Sequence, residues 1–269
     1  MENKFFTSQE IETANRAFLL GDAVKVSFFV RNGALIMDEE CYFFLMASMR
    51  KMRMNIPLSY TLEFFQKLFQ EKIISGENIS NGIITFMVFR NRDHENLSKC
   101  SVSYYFEIKS SEDVLALQPK SLELDHIKEI NVNSNLLSNI RVHCPENIYA
   151  SIYAQENDLD DVILLNPEKR IARTSVGNLL FLEGDVIKVV KQTEGAYISP
   201  LLENFVTFIH KNNLADIQEQ EIIAFESQKS EEILVISDEN GIFTVKKIRN
   251  KTFGSARFTE MVTRWAESF

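Results

Sequence analysis

Side chains that could bind a metal or act as a catalytic nucleophile are few and scattered in this sequence. The three cysteines, Cys41, Cys100 and Cys144, are odd in number, and none has the CxxC spacing of a zinc or redox site. The four histidines share no metal-ligand spacing with one another or with the cysteines. The sequence therefore predicts no metal site, and its thiols are expected to be reduced, as in a cytoplasmic protein.

Glycine-rich phosphate loops are excluded as well. The chain has 9 glycines and 5 prolines, and no two glycines stand at GxG or GxxG spacing. This removes the dinucleotide-binding fingerprint and the Walker phosphate loop. The scarcity of glycine and proline, together with 21 phenylalanines, predicts abundant regular structure around a large aromatic core.

Charge and composition narrow the class of protein. The 269 residues include 38 acidic and 29 basic side chains, which leaves a net charge of −9. An acidic chain lacks the basic face that a nucleic-acid binder needs. The hydrophobic share of 45% and the charged share of 25% are typical of globular proteins. Because the sequence shows neither an apolar membrane-spanning stretch nor a signal peptide, we expect a soluble, cytoplasmic protein.

The first part of the chain predicts helices packed on an antiparallel sheet. Residues 24–30 and 34–37 favour two strands around the Asn32-Gly33 hairpin turn. Two amphipathic helices follow, the second opening at Thr61, and two more strands begin near residues 82 and 101. The order β-β-α-α-β-β indicates an N-terminal α+β domain over residues 1–115.

The second part predicts another α+β domain. Residues 116–130 are mixed and charged, contain Pro119, and are interpreted as an interdomain linker. The domain over residues 131–269 combines three helices with short strands, one of them predicted at residues 221–225. The last helix is expected to be capped by Ser255.

Several segments together resemble a known family. They read GDAVKVSFFVRNG, ASIYAQENDLDDVILLNPEKRIARTSVGNLLFLEGDVI, TEGAYISPLLENFVTFI and EEILVISDENGIFTV. In this order they resemble the class IV aminotransferases, which include D-amino-acid and branched-chain aminotransferases and aminodeoxychorismate lyase. The resemblance implies a small N-terminal α/β sandwich, a larger C-terminal pseudo-barrel domain, a cleft between the domains, and a homodimer.

The resemblance also implies pyridoxal phosphate, yet the residues that should handle its ring differ here. The family uses a lysine for the Schiff base and a glutamate beside the pyridinium nitrogen. The residue nearest the lysine position is Arg141, and no lysine lies between Lys128 and Lys169. An arginine has no neutral amine with which to form an imine. The glutamate position is occupied by Arg173.

The positions that hold the cofactor phosphate in the family have changed too. They are Phe44 for the arginine, Ser199 and Pro200 at a helix start, and Ile236 and Asp238 in place of two threonines. Pro200 has no N–H to offer an anion, and the Asp238 carboxylate would repel a phosphate. The sequence therefore predicts that no pyridoxal phosphate, or other cofactor, is bound.

Three functions remain open from the sequence. The first is a degenerate, non-catalytic family member that acts as a binding or interaction protein, with a small anionic metabolite as one candidate ligand. The second is an active aminotransferase or aminodeoxychorismate lyase with a rearranged site. The third is a regulatory partner subunit of an active relative.

Arg141 and Arg173 have two interpretations. Both could point into the former cofactor cleft and form an anion site, because arginine pairs bidentately with carboxylate or phosphate. Alternatively, each pairs with a local acid such as Glu146, Glu203 or Asp238 and only fills the vacated space.

Overall fold

The computed structural model describes residues 4–7, 15–92 and 96–269, which form two compact units. The first unit runs to Val114 and also includes Ile140–His143. The second comprises Leu115–Asn139 and Cys144–Phe269. The architecture is α+β with a curved half-barrel sheet, which confirms the predicted fold class.

The first unit is an antiparallel sheet with helices. Its strands are β1 (Lys4–Thr7), β2 (Ala23–Arg31), β3 (Ala34–Ile36), β4 (Gly82–Arg90) and β5 (Val102–Ser110), and its helices are α1 (Arg16–Leu20), α2 (Asp38–Lys51) and α3 (Leu62–Phe69). The sheet order is β1-β5-β4-β2-β3. Asn32 and Gly33 both have positive φ, 52° and 73°, as the predicted hairpin turn requires. The predicted β-β-α-α-β-β order is therefore confirmed for β2 to β5.

Phenylalanine rings form the centre of this unit. Phe65 and Phe69 on α3 contact Phe28 on β2 and Phe86 on β4, with ring centroids 4.9 to 6.1 Å apart. All four side chains are fully buried. Burial of this much aromatic surface is the main apolar contribution to the stability of the unit, and it confirms the predicted aromatic core.

The second unit is built on a larger mixed sheet. Its strands are β6 (Leu122–Asn131), β7 (Asp161–Leu165), β8 (Ile171–Thr174), β9 (Asn178–Glu183), β10 (Val186–Val190), β11 (Asp216–Gln220), β12 (Glu232–Ser237), β13 (Gly241–Ile248) and β14 (Lys251–Thr252), and its helices are α4 (Pro145–Glu156), α5 (Pro200–Lys211) and α6 (Ala256–Glu267). The order is β11-β10-β9-β12-β13-β6-β7-β8, with β14 paired to β13. None of the described helices is long and apolar enough to cross a membrane.

Two segments differ from the sequence-based prediction. Most of the predicted linker at 116–130 is strand β6, which pairs in parallel with both β13 and β7. Its charged residues alternate with buried ones such as Leu122 and Leu124, so the mixed composition is that of a strand with two different faces. The strand predicted at 221–225 is absent, and β11 precedes it, paired in parallel with β10.

The cap of α6 also differs from the prediction. The Ser255 side chain makes no capping hydrogen bond. The Glu232 carboxylate accepts instead from the backbone N–H groups of Arg257 and Phe258, at 3.0 and 2.9 Å. A carboxylate at this position stabilises the positive end of the helix, and here it comes from a distant strand.

Candidate functional site

Arg173 lies on β8, a strand buried on both faces, and only 3% of the residue is exposed. Its Nη1 donates to the carbonyl of Gly195 at 2.7 Å. Its guanidinium carbon lies 4.2 Å from the centre of the Tyr197 ring. A cation over an aromatic face is stabilised by the ring quadrupole, which favours the charged side chain in this buried position.

The other edge of the same guanidinium faces the start of α4. Nη2 of Arg173 donates to Cys144 Sγ at 3.6 Å and to Asn147 Oδ1 at 3.5 Å. Asn147 in turn donates from Nδ2 to the Tyr197 hydroxyl at 2.7 Å. We call Arg173, Gly195, Tyr197, Cys144 and Asn147 the Arg173 cluster.

The Arg173 cluster contains no counter-charge. Within the described residues no carboxylate lies at ion-pair distance from Arg173, and its Nε makes no hydrogen bond. Glu146, one of the acids considered as a local partner, accepts instead from the Cys144 thiol at 3.2 Å. Neutral dipoles and an aromatic face therefore surround this cation.

Tyr197 is fixed by a reciprocal pair of hydrogen bonds. Its backbone N–H donates to Asn178 Oδ1 at 2.9 Å, and Asn178 Nδ2 donates back to its carbonyl at 2.9 Å. Gly195, two residues before Tyr197, has φ 103°, a conformation that glycine adopts without strain. This local geometry aims the Gly195 carbonyl and the Tyr197 ring at the same guanidinium.

The thiol of Cys144 is not activated. Burial raises its pKa, and the neighbouring Arg173 guanidinium lowers it by less. Because the thiolate is the nucleophilic form, a raised pKa keeps this side chain in its unreactive state. Cys144 therefore does not supply a nucleophile at the Arg173 cluster.

Asp238 and Ser199 meet at the start of α5. Ser199 Oγ accepts from the backbone N–H of Leu202 at 3.1 Å and donates to Asp238 Oδ1 at 2.6 Å. Pro200 is the first helical residue. Ser199 and Asp238 are 2% and 6% exposed, so the carboxylate is held in a buried position near the positive end of this helix.

The remaining predicted positions are divided between the two units. Phe44 is buried on α2 in the first unit, and Ile236 is buried on β12 in the second. Arg141 belongs to the first unit, where its carbonyl accepts from Lys25 N–H at 2.8 Å. Arg173 belongs to the second unit. The joint anion site of these two arginines therefore stays a prediction.

Three members of the Arg173 cluster were not identified as candidate site residues from the sequence. Gly195 and Tyr197 lie within the family-like segment TEGAYISPLLENFVTFI, and Asn147 lies in the first turn of α4, but no spacing marks them as neighbours of Arg173. They meet only because separate segments return to β8. Asn178 lies within another of the family-like segments, but no local pattern predicts its hydrogen bonds to Tyr197.

Solved structures share this fold at low sequence identity. A proposed 4-amino-4-deoxychorismate lyase of Legionella pneumophila superposes with a TM-score of 0.85 at 16% identity, over 97% of this chain and 96% of that one. The branched-chain aminotransferase of Thermoproteus uzoniensis, solved with norvaline, has a TM-score of 0.85 at 13% identity, with 98% and 93% covered. The T.th. branched-chain aminotransferase complexed with N-(5′-phosphopyridoxyl)-L-glutamate has a TM-score of 0.83 at 13% identity, with 97% and 89% covered.

The sequence itself carries the family relationship. A comparison with curated proteins found no significant match. The profile of the family described as amino-transferase class IV matches residues 45–248, which is most of the chain. The predicted resemblance is thereby confirmed, and the chain belongs to the class IV aminotransferase family.

Proposed function

We propose that this family member does not hold pyridoxal phosphate and acts as a non-catalytic binding or interaction protein. The observation that carries the proposal is the hydrogen bond from Ser199 to the buried Asp238 carboxylate at the start of α5. The resemblance assigns this helix start to the cofactor phosphate.

The helix start is already occupied by protein groups. A helix N-terminus binds an anion through its free N–H groups and its dipole. Here the Ser199 hydroxyl already accepts a hydrogen bond from the backbone N–H of Leu202, and Pro200 has no N–H to donate. The Asp238 carboxylate adds a negative charge beside these groups. A phosphate dianion at this point would be repelled by the carboxylate.

The ring-binding positions disfavour the cofactor for a separate reason. A carboxylate beside the pyridinium nitrogen keeps that nitrogen protonated, whereas the Arg173 guanidinium has no acceptor to offer. The Arg173 cluster stabilises that cation through Gly195 and Tyr197. Without a lysine near Arg141, and with a protonated Cys144, the residues do not fit pyridoxal phosphate.

Equilibrium dialysis against pyridoxal phosphate tests the proposal. We expect no saturable binding by the wild-type protein. Asp238→Asn removes the repelling charge and is expected to bind more strongly than wild type, while Glu156→Gln, an exposed change on α4, is the matched control. Saturable binding of one cofactor per chain by the wild-type protein would overturn the proposal.

The second candidate is an active aminotransferase or aminodeoxychorismate lyase with a rearranged site. It is favoured by the similarity of the whole chain to aminotransferases, one of them complexed with a phosphopyridoxyl amino acid. Such an enzyme must turn over an amino donor when the cofactor is supplied. Turnover that is lost when a single lysine is replaced would establish this candidate.

A further inference from the structure

The second unit contains a cavity of about 190 Å³ between α5, β10 and β11. Apolar side chains form much of its wall, namely Val189, Val190, Ala196, Leu202, Val206 and Ile217. Glu203 and Glu219 line the same cavity, and both side chains reach solvent. The cavity therefore combines an apolar interior with two carboxylates.

The elements place the two glutamates by their regular spacing. In the parallel pair of β10 and β11, Val189 is the register partner of Glu219. Ile217 and Glu219 lie on the same face of β11 because side chains two residues apart point to one side of a strand. Glu203 precedes Val206 by three residues on α5, so these two share a helix face.

Neither glutamate has a cationic partner. Within the described part of the chain, neither Glu203 nor Glu219 makes an ion pair or a side-chain hydrogen bond. The lysines near the end of β10 are engaged elsewhere, Lys188 with Glu183 at 2.7 Å and Lys191 with Glu221 at 3.4 Å. Burial, and then the nearby Glu219 charge, raise the pKa of Glu203. Two carboxylates therefore face one small cavity.

We propose that this cavity binds a small primary amine as its ammonium ion, with a compact apolar body inside. An ammonium carries three donors and can bridge two carboxylates, and charge-assisted hydrogen bonds of this kind are strong. Apolar cavities of about 150 Å³ accept a benzene-sized molecule, so the space suits a ligand with one such group. An amino acid is disfavoured because its carboxylate would face Glu203 and Glu219.

The inference does not rest on the proposed loss of pyridoxal phosphate. Tyr197 and Ser199 also line the cavity, but the two glutamates that carry the inference are neither members of the Arg173 cluster nor contacts of Asp238. A negative result here therefore leaves that proposal intact.

Calorimetric titration with benzylamine at pH 7 tests the site, with benzyl alcohol and benzoate as isosteric controls. We expect benzylamine to bind about tenfold or more tightly than benzyl alcohol, the gain typical of a charge-assisted hydrogen bond, and benzoate not to bind. The Glu203→Gln/Glu219→Gln double variant should lose the preference for the amine. Val206→Trp, which fills the cavity, should abolish binding of both neutral and charged probes, and Glu156→Gln should change nothing.

Three results would overturn the inference. They are the absence of benzylamine binding to the wild type, equal affinity for benzylamine and benzyl alcohol, and amine binding that persists in the double glutamine variant. Thermal unfolding of each variant shows whether its fold is kept. If Glu203→Gln/Glu219→Gln does not fold, either single variant serves, with a smaller loss expected.

Discussion

Within the described residues, the buried Arg173 cation has no carboxylate at ion-pair distance. Such a charge is tolerated because a carbonyl, an amide oxygen and an aromatic face each stabilise it. The Asp238 carboxylate does not neutralise this cation, since it accepts its hydrogen bond from Ser199 rather than from Arg173. The positive charge of Arg173 is the feature that supports a small anionic ligand.

A substitution at Arg173 tests that ligand. If the arginine contributes to an anion site, phosphate or a dicarboxylate should raise the melting temperature of the wild-type protein, and Arg173→Glu should abolish the increase. The charge reversal removes the attraction and adds repulsion. Arg264→Glu, on the exposed side of α6, is the control and should retain the response. If anions stabilise Arg173→Glu as much as the wild type, Arg173 has only a packing role.

Little of the Arg173 cluster could be predicted from the sequence. The sequence places Arg173 at the family's glutamate position and Asp238 at one of the threonine positions that the resemblance assigns to the cofactor phosphate. The acceptors of Arg173 come from residues 144–147 and 195–197, which are distant in the sequence and carry no shared spacing. A hydrogen bond such as that from Ser199 to Asp238 depends on how strands and helices return to one place, and local patterns do not encode it.

Among the elements, β6 shows that a mixed, charged composition is not enough to identify a linker. Residues 122–125 alternate between buried and half-buried positions, so a segment with charged residues can still be a central strand. The amphipathic helices and the Asn32-Gly33 hairpin were predictable because their periodicity and turn chemistry are local. The capping of α6 by Glu232 could not be predicted in this way, because Glu232 lies 25 and 26 positions before the two residues, Arg257 and Phe258, from whose N–H groups it accepts.

A buried histidine in β6 is expected to make the free energy of unfolding depend on pH. Within the described residues, neither ring nitrogen of His126 makes a hydrogen bond, and Asp125 Oδ1 is 3.8 Å from Nδ1. Burial, followed by the Arg249 charge, lowers the pKa of His126 to about 4. In the unfolded chain the pKa is about 6.5, so the unfolded state binds more protons between these values.

We therefore expect the contribution of His126 to stability to be full above pH 6.5 and to be lost as the pH falls towards 4. The loss is of the order of 3 kcal/mol at most, from the size of the pKa shift. His126→Leu should flatten the dependence of the free energy of unfolding on pH in this range, measured by urea denaturation. His210→Gln, at an exposed position of α5, is the control. An equally steep pH dependence in His126→Leu would show that other groups are responsible.

On the scale of the whole molecule, apolar side chains remain uncovered on α4. Ile148, Tyr149 and Ile152 are 53%, 46% and 50% exposed. Exposed apolar groups of this kind often mark an interface between proteins. They support the homodimer that the family resemblance implies.

Light scattering tests the homodimer at micromolar concentration. We expect twice the chain mass for the wild type. Ile152→Glu should shift the mass towards that of the monomer if α4 contributes to the interface, because it would bury an unpaired charge there. Thr263→Glu on the exposed face of α6 should stay dimeric. A monomeric wild-type protein would contradict the proposal.

The most direct test of the central claim is the absorbance spectrum of the purified protein after incubation with excess pyridoxal phosphate and desalting. It should be followed by borohydride reduction and peptide mapping. The account predicts a colourless protein without Schiff-base absorbance and with no lysine labelled in stoichiometric amount. A yellow protein in which reduction fixes one cofactor per chain to a single lysine would contradict it.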